Sequence, residues 1–465
     1  MKGTTLTAVV VQEKGIKMQG RLSRGVAIVG SFLLSIGLAT TGIAVRSASA
    51  TPTEPGINIS TKVITIGVTA PLSGNAWTGY ADVARAANAV FKYVNAKGGV
   101  NSWKVNFIIK DDCYDAVGIF GCTTSSGTVS QTRSLVEKSN VFAMVGSFGT
   151  APQDQVRNYL DGNGVPQLFV YSGSKDWDHS LTWPGLFGFQ PSYLVESKIL
   201  ANYILTHFNG KKVGTIGQSD DFGADGLQGL LNGGLTIAKA DRHTYDGTDL
   251  IFNAASFNTS LRKLKASKAR VVVLHTVPAA TKVILDNART MGYRPQFVIA
   301  NMGADPQMVN SMNEKNALSF SYLPIVTDTA NPWNAWMKKV MLADKADFPK
   351  LTSGSVISAN MQNGAAWAVA FLEVLKQLNG AKPTRQSVVA GMMAENGISS
   401  PTVVRLRYTN SNHQGLTGGF VIKISSKTHA VVADKQIYIT GDGPLSTSPL
   451  VPVAGSVCPV PAWLQ

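Results

Sequence analysis

The residue types that carry out catalysis are present in this sequence, but not in catalytic arrangements. The six histidines (His179, His207, His243, His275, His413, His429) are scattered, and no H-E-x-x-H, G-x-S-x-G or G-x-x-x-x-G-K-[ST] occurs. Asp220 and Asp221 form a carboxylate pair, but no nucleophile accompanies them. Asp176, Asp178 and His179 lie close enough in sequence to hold a metal, yet read more simply as a solvated loop. No catalytic residue, metal or cofactor is assigned. The remaining polar groups suit ligand holding. Phe148-Gly149-Thr150-Ala151-Pro152-Gln153 has Thr and Gln at capping-box spacing, with Pro in the first turn. A helix that starts here after a glycine offers free N–H donors to an anion, although a plain cap would look the same. In Tyr171-Ser172-Gly173-Ser174 the hydroxyls donate or accept, and Gly173 allows close backbone approach. Asp221 and Asp225 suit the first turn of a helix, either as a cap or as charges facing its dipole.

These segments fall between regular elements. Lys62–Val68 is β-branched and partly alternating, so it reads as a strand. Tyr80, Val83, Ala84, Ala87, Val90, Phe91 and Val94 make one helical stripe, ended by Gly98-Gly99. Strands at 105–109, 141–146 and 165–170 then alternate with helices at 129–137 and 152–160. The pattern restarts after Pro191, with helices at 192–208, 224–231, 258–268 and 278–291 and strands at 212–218, 235–238, 270–274 and 296–300. Helices dominate from 333 to 395. Strands follow at 403–408, 420–425 and 437–440, and the last twenty residues read as a loosely held tail. Such alternation predicts an α/β chain of two doubly wound parallel-sheet units with a cleft between them.

Residues 1–50 stand apart. Lys14, Lys17, Arg21 and Arg24 precede an uncharged apolar run, Gly25 to Val45, and Ala48-Ser49-Ala50 closes the segment. This reads as a signal peptide cut after Ala50, with Met18 a possible start; a retained membrane anchor is the alternative. Over the 465 residues Lys plus Arg number 42 against 28 acids, a net charge of +14, of which the leader carries +5 (six basic residues against Glu13). No basic stripe remains to bind nucleic acid. Apolar residues at 44% exclude disorder as the main state. In an exported chain, Cys113 and Cys122 read as a disulfide, with unpaired thiols as the alternative. Cys458 is left over.

Seven segments, met in order over residues 60–425, carry a family resemblance. They are Ile66-Gly67-Val68-Thr69-Ala70-Pro71-Leu72-Ser73-Gly74, Val94-Asn95-Ala96-Lys97-Gly98-Gly99-Val100, Asp111-Asp112-Cys113, Met144-Val145-Gly146-Ser147, Gly164-Val165-Pro166-Gln167-Leu168-Phe169-Val170, Phe189-Gln190-Pro191-Ser192-Tyr193 and Gln218-Ser219-Asp220-Asp221-Phe222-Gly223. Together they resemble the type I periplasmic binding proteins of the leucine/isoleucine/valine-binding group that serves ABC importers. The resemblance implies two lobes joined by a three-segment hinge. Lobe one is 60–192 plus 326–400, lobe two is 193–325 plus 401–440, and 441–465 is a tail. It implies that Phe148, Gly149 and Thr150 hold a ligand carboxylate beside Tyr171, Ser172, Gly173 and Ser174. Trp77 and Phe222 would wall the cleft, with Asp221, Val277, Asn301 and Met302 completing it. It also implies a disulfide in lobe one, though relatives space theirs more widely.

One departure bears on the ligand. Amino-acid binders place a Glu where Asn301 or Met302 stands, and His275-Thr276-Val277-Pro278 lacks their Tyr. An unpaired buried ammonium costs several kcal/mol. The expected ligand is therefore a carboxylate without an ammonium, an amide or an aromatic acid as readily as an α-amino acid, unless Asp221 supplies the charge. The expected function is an exported, monomeric solute-binding protein that closes on a small polar ligand and hands it to a membrane ABC permease. A ligand-sensing receptor subunit and a secreted hydrolase are the alternatives.

Overall fold

The computed structural model describes residues 54–73, 77–116, 122–247, 255–304, 316–425, 429–441, 443–449 and 458–465. The expected leader lies outside them. The first lobe is built on a six-stranded sheet. Its strands are β1 (Ile57–Asn58), β2 (Val63–Ala70), β3 (Lys104–Asp111), β4 (Met144–Val145), β5 (Gln167–Val170) and β6 (Leu186–Gly188). They run parallel in the order β3-β2-β4-β5-β6, with β1 antiparallel on β2. The second lobe repeats the winding. Its strands β7 (Val213–Gln218), β8 (Arg242–Tyr245), β9 (Val271–His275), β10 (Gln296–Ile299) and β11 (Leu318–Ser321) lie parallel in the order β8-β7-β9-β10-β11. Antiparallel strands β12 (Gly418–Ser425), β13 (His429–Val432), β14 (Gln436–Ile439) and β15 (Ser446–Pro449) extend that sheet beyond β11. In each sheet the order reverses at the first long strand. The loops at the carboxyl ends beside that switch point are where open α/β sheets bind ligands.

The helix Trp77–Ala96 buries its apolar stripe against the long helix Ala359–Gln377. Gly364 makes the contact possible, because a Cβ there would stand 1.9 Å from the Val83 carbonyl oxygen. Phe91 packs edge-on against Phe371, with Trp367 beside it. The helices Pro332–Ala343 and Ala359–Gln377 thus return the chain to lobe one.

Three expectations need correction. Leu235–Ala238 is no strand; Leu235 and Ile237 are buried in a connecting segment, and the strand is β8, whose mostly half-buried residues give no apolar run. Residues 403–408 form only an isolated bridge, Ile398 to Leu406. The stretch that follows runs along β6 of lobe one: Gly188 N donates to His413 O at 2.9 Å, Tyr408 Oη donates to Gly188 O at 2.6 Å, and the His413 ring stacks on Phe187. Of the expected tail, residues 458–465 are not loose, while 450–457 lie outside the described residues. Trp333 Nε1 donates to Cys458 O at 2.8 Å, Trp336 Nε1 donates to Leu464 O at 3.0 Å, and Leu464 is buried. The two indole N–H groups require acceptors once buried, and the terminal backbone supplies them.

Candidate functional site

Lobe one brings three hydroxyls together. Thr150 Oγ1 lies 2.7 Å from Ser172 Oγ and 3.2 Å from Tyr193 Oη, and Ser172 Oγ lies 3.4 Å from Tyr193 Oη. All three residues are buried. The expected capping box does not form. Gly149, at φ 103°, is the N-cap residue of the helix Thr150–Gly162, so Thr150 is its first helical residue. Gln153 instead donates to Thr69 Oγ1 and Phe148 O. Glycine's tolerance of that φ turns the chain one residue early and leaves the Thr150 hydroxyl facing the cluster. The first-turn N–H groups of a helix have no intrahelical acceptor, and its N-terminus carries partial positive charge. Ser174 faces another way: its hydroxyl caps the short turn Lys175–Trp177 by accepting from Asp176 N.

Aromatic rings surround these hydroxyls. Phe148 is packed by Tyr80 at 4.4 Å between ring centroids, by Tyr171 at 5.6 Å and by Tyr114 at 5.7 Å. Tyr193 lies 4.6 Å from Phe222 of lobe two. Burial pushes the Tyr193 phenol up to about 12, so it stays a neutral donor. Gly173 is needed beneath: a Cβ there would stand 2.8 Å from Pro191 O and from the Tyr193 ring.

Lobe two meets this surface directly. Tyr80 Oη donates to Met302 O at 2.5 Å. Asp220 caps the helix Asp221–Asn232 by accepting from Phe222 N, and it also accepts from Gln218 Nε2 at 2.6 Å. Capping therefore falls to Asp220 rather than to Asp221 or Asp225. Asp221 is the first helical residue and is half-buried, while Asp225 bonds Lys175 of lobe one. Tyr245 Oη donates to Gln218 Oε1 at 3.0 Å and accepts from Val277 N at 3.1 Å. Asn301 turns away: its Nδ2 donates to Phe320 O on β11, while its backbone N donates to Glu196 Oε1 at 2.6 Å.

The structure thus brings together Phe148, Gly149, Thr150, Tyr171, Ser172 and Gly173 with Phe222 and the Met302 carbonyl, and sets Val277 behind Tyr245. Trp77 opens the helix Trp77–Ala96. Tyr80, Tyr114, Tyr193, Glu196, Gln218 and Tyr245 escape the sequence reading. Tyr193 stands in the quoted Phe189–Tyr193 segment, and Tyr80 is counted there only as a core-stripe residue. Cys113 and Cys122 are bonded, with Cα atoms 6.2 Å apart, and Cys458 is buried. Among the described residues no helix is long and apolar enough to cross a membrane.

Comparison with known proteins agrees with the two-lobed fold. The Leu/Ile/Val-binding protein homolog 3 of Brucella melitensis is 24% identical over 366 residues, which is 76% of this chain and 93% of that protein. The fold is similar to a branched chain amino acid ABC transporter protein from Thermus thermophilus with bound valine, at TM-score 0.69 and 16% identity, over 82% of this chain and 98% of that one. It is also similar to a fatty acid ABC transporter substrate-binding protein from Thermomonospora curvata, at TM-score 0.68 and 17% identity, over 84% and 95%. The family described as periplasmic binding protein matches residues 63–429, and the chain belongs to that family.

Proposed function

We propose that this protein is an exported, monomeric solute-binding protein that captures a small ligand bearing a carboxylate and an apolar body, and delivers it to the permease of an ABC importer. The observation that carries the reading is the Thr150–Ser172–Tyr193 hydroxyl cluster, set at a helix N-terminus and walled by aromatic rings between two lobes. The hydroxyls and the first-turn N–H groups hold the carboxylate without a basic side chain. Phe148, Tyr171, Phe222, Val277 and Met302 enclose the apolar body, with Asp221 at the entrance; Trp77, the first residue of its helix, remains a candidate wall residue by resemblance alone. Valine and fatty acids, named for two proteins of similar fold, are both carboxylates with apolar bodies. Residues 1–50 direct export. The work cycle of this reading is closure and release.

A thermal-shift screen of amino acids, fatty acids, aromatic acids and amides on residues 51–465 tests the reading. A ligand at about 100 times its Kd raises stability by about 2.7 kcal/mol. Carboxylates should shift the protein, and Thr150→Val should abolish the shift. Amides alone shifting it, or conversion of the bound molecule, would overturn the reading.

A further inference from the structure

The place where an acid is absent from the sequence is not without an acid in the fold. Glu196 is 2% exposed, and its Oε1 accepts from the backbone N of Asn301 at 2.6 Å, at the carboxyl end of β10. The next residue, Met302, receives the Tyr80 hydroxyl of lobe one, so this point lies at the junction of the lobes. Glu196 follows Tyr193 by three positions in the helix Tyr193–His207, so the two share a face, with Cβ atoms about 5–6 Å apart. Tyr193 already belongs to the hydroxyl cluster. The neighbouring Ser197 bonds the His275 ring at 2.8 Å at the end of β9, which fixes that helix face against the strand ends.

We propose that Glu196 is the acidic group that selects ligands carrying an ammonium beside their carboxylate, namely α-amino acids over the corresponding plain acids. The inference rests on the reading above that the hydroxyl cluster takes a carboxylate. Tyr193 and Glu196 then hold the two ends of one small zwitterion from adjacent turns of a single helix. Of the titratable groups on the elements packed here, the Tyr322 phenol from the crossover after β11 lies within electrostatic reach of Glu196, Tyr193 precedes it by three positions on the same helix, and His275 from β9 bonds the adjacent Ser197. Burial raises both phenols and pushes His275 down to about 4, so all three are neutral near pH 7. Burial also holds the Glu196 carboxyl up to about 8, against the hydrogen bond from Asn301. The free protein therefore keeps a neutral acid there. An entering ammonium keeps its own protons, the Glu196 proton leaves to solvent, and the carboxylate formed pairs with the ammonium.

The test compares leucine with 4-methylpentanoate, and phenylalanine with 3-phenylpropanoate, by calorimetry on wild-type protein and Glu196→Gln. The glutamine retains an oxygen for the Asn301 amide. Wild type should bind each amino acid more tightly than its plain acid. It should release close to one proton per amino acid near pH 7, read from buffers of different ionisation heat. Glu196→Gln should weaken the amino acids at least tenfold, leave the plain acids within about twofold and abolish the release. Equal weakening of both members of a pair, absence of proton release, or a wild type that takes the plain acids without preference would each overturn the role of Glu196 alone. Binding of none of the four would overturn the carboxylate reading and this inference with it. Proton release is measured on wild type, so the proposal stands or falls even if the variant does not fold.

Discussion

Lys175 grips Asp225 twice: its backbone N donates to Oδ2 at 3.0 Å and its Nζ to Oδ1 at 2.7 Å. A loop after β5 of lobe one is thereby fastened to the first helix after β7 of lobe two. The Asp225 side chain is 4% exposed and the Lys175 side chain 48%. Water therefore screens the lysine end, and the charged pair itself is worth about 1 kcal/mol or less. The backbone bond survives substitution of the side chain. Lys175→Met should weaken binding of whichever carboxylate emerges from the screen by about three- to tenfold, with most of the change in the dissociation rate. Asp225→Asn should act similarly, and the double variant should be little worse than either single one, because both remove one contact. Strictly additive effects would show that the clasp does not couple the lobes.

The disulfide adjoins the candidate site through Tyr114. Cys113, Tyr114 and Asp115 all have positive φ, and the turn sets Tyr114 against Phe148. Left-handed backbone at three successive non-glycine residues is costly and needs external restraint. The Cys113–Cys122 bond supplies it, along with the Asp112 cap on Tyr114 N. Cys113→Ser with Cys122→Ser should cost about 2–3 kcal/mol in chemical denaturation. It should also weaken ligand binding beyond what that stability loss explains. Unchanged affinity in folded double mutant would separate Tyr114 from the site.

Gly149 tests the geometry of the helix start. A Cβ there would stand 2.7 Å from Tyr114 Cε2, and the φ of 103° strains any other residue. Gly149→Ala should lower stability by about 1–3 kcal/mol and carry Thr150 and Tyr114 away from their places. Gly210 offers a control: its φ is also positive, but nothing lies within 4 Å of an added Cβ. Gly210→Ala should cost stability alone, whereas Gly149→Ala should cost binding as well. Equal effects on binding would mean that the helix start does not contribute to the site.

The two halves of the site differ in how far they can be read from sequence. Phe148–Thr150 and Tyr171–Gly173 are legible because they follow strands directly, and a strand end followed by glycine and hydroxyl residues is a local signal. The paired windings are legible because strands such as β2 and β9 are buried and rich in β-branched apolar residues, whereas β6 and β11 are too short to signal themselves. Tyr80 and Tyr193 are not legible as site residues. Their ring carbons fill core positions and only the hydroxyls reach the Met302 carbonyl and the Thr150 and Ser172 hydroxyls, so periodicity counts them as packing. Glu196 is further hidden: its role depends on which strand end its helix crosses, a long-range fact absent from local pattern. Residues 458–465 of the tail are misread because Pro, Gly and Ser suggest looseness, while the acceptors that Trp333 and Trp336 need become visible only in the fold.

Stability should fall as pH rises from 6.5 to 8. Burial holds the carboxyls of Asp112 and Glu196 up to about 8, whereas the ordinary values are 3.8 and 4.5. Between those limits the folded chain keeps both protons and the unfolded chain has lost them. Folding then binds protons, and each group subtracts about 1.4 kcal/mol per pH unit as pH rises. Asp220 and Asp225 are raised by burial as well and act in the same direction. His275 opposes them in a lower window. Burial pushes it down to about 4 from 6.5, so between those values the unfolded chain binds the extra proton and stability rises with pH. The opposing slopes partly cancel from pH 5 to 6.5, and the decline steepens above 6.5, where histidine is neutral in both states. Urea midpoints at half-unit steps from pH 5 to 8 should trace that bend. Glu196→Gln should remove roughly one group's share of the upper slope, about 1.4 kcal/mol per unit, while leaving the lower window's histidine contribution in place. A midpoint that stays level or rises between pH 6.5 and 8 would show that these carboxyls ionise freely in the folded chain.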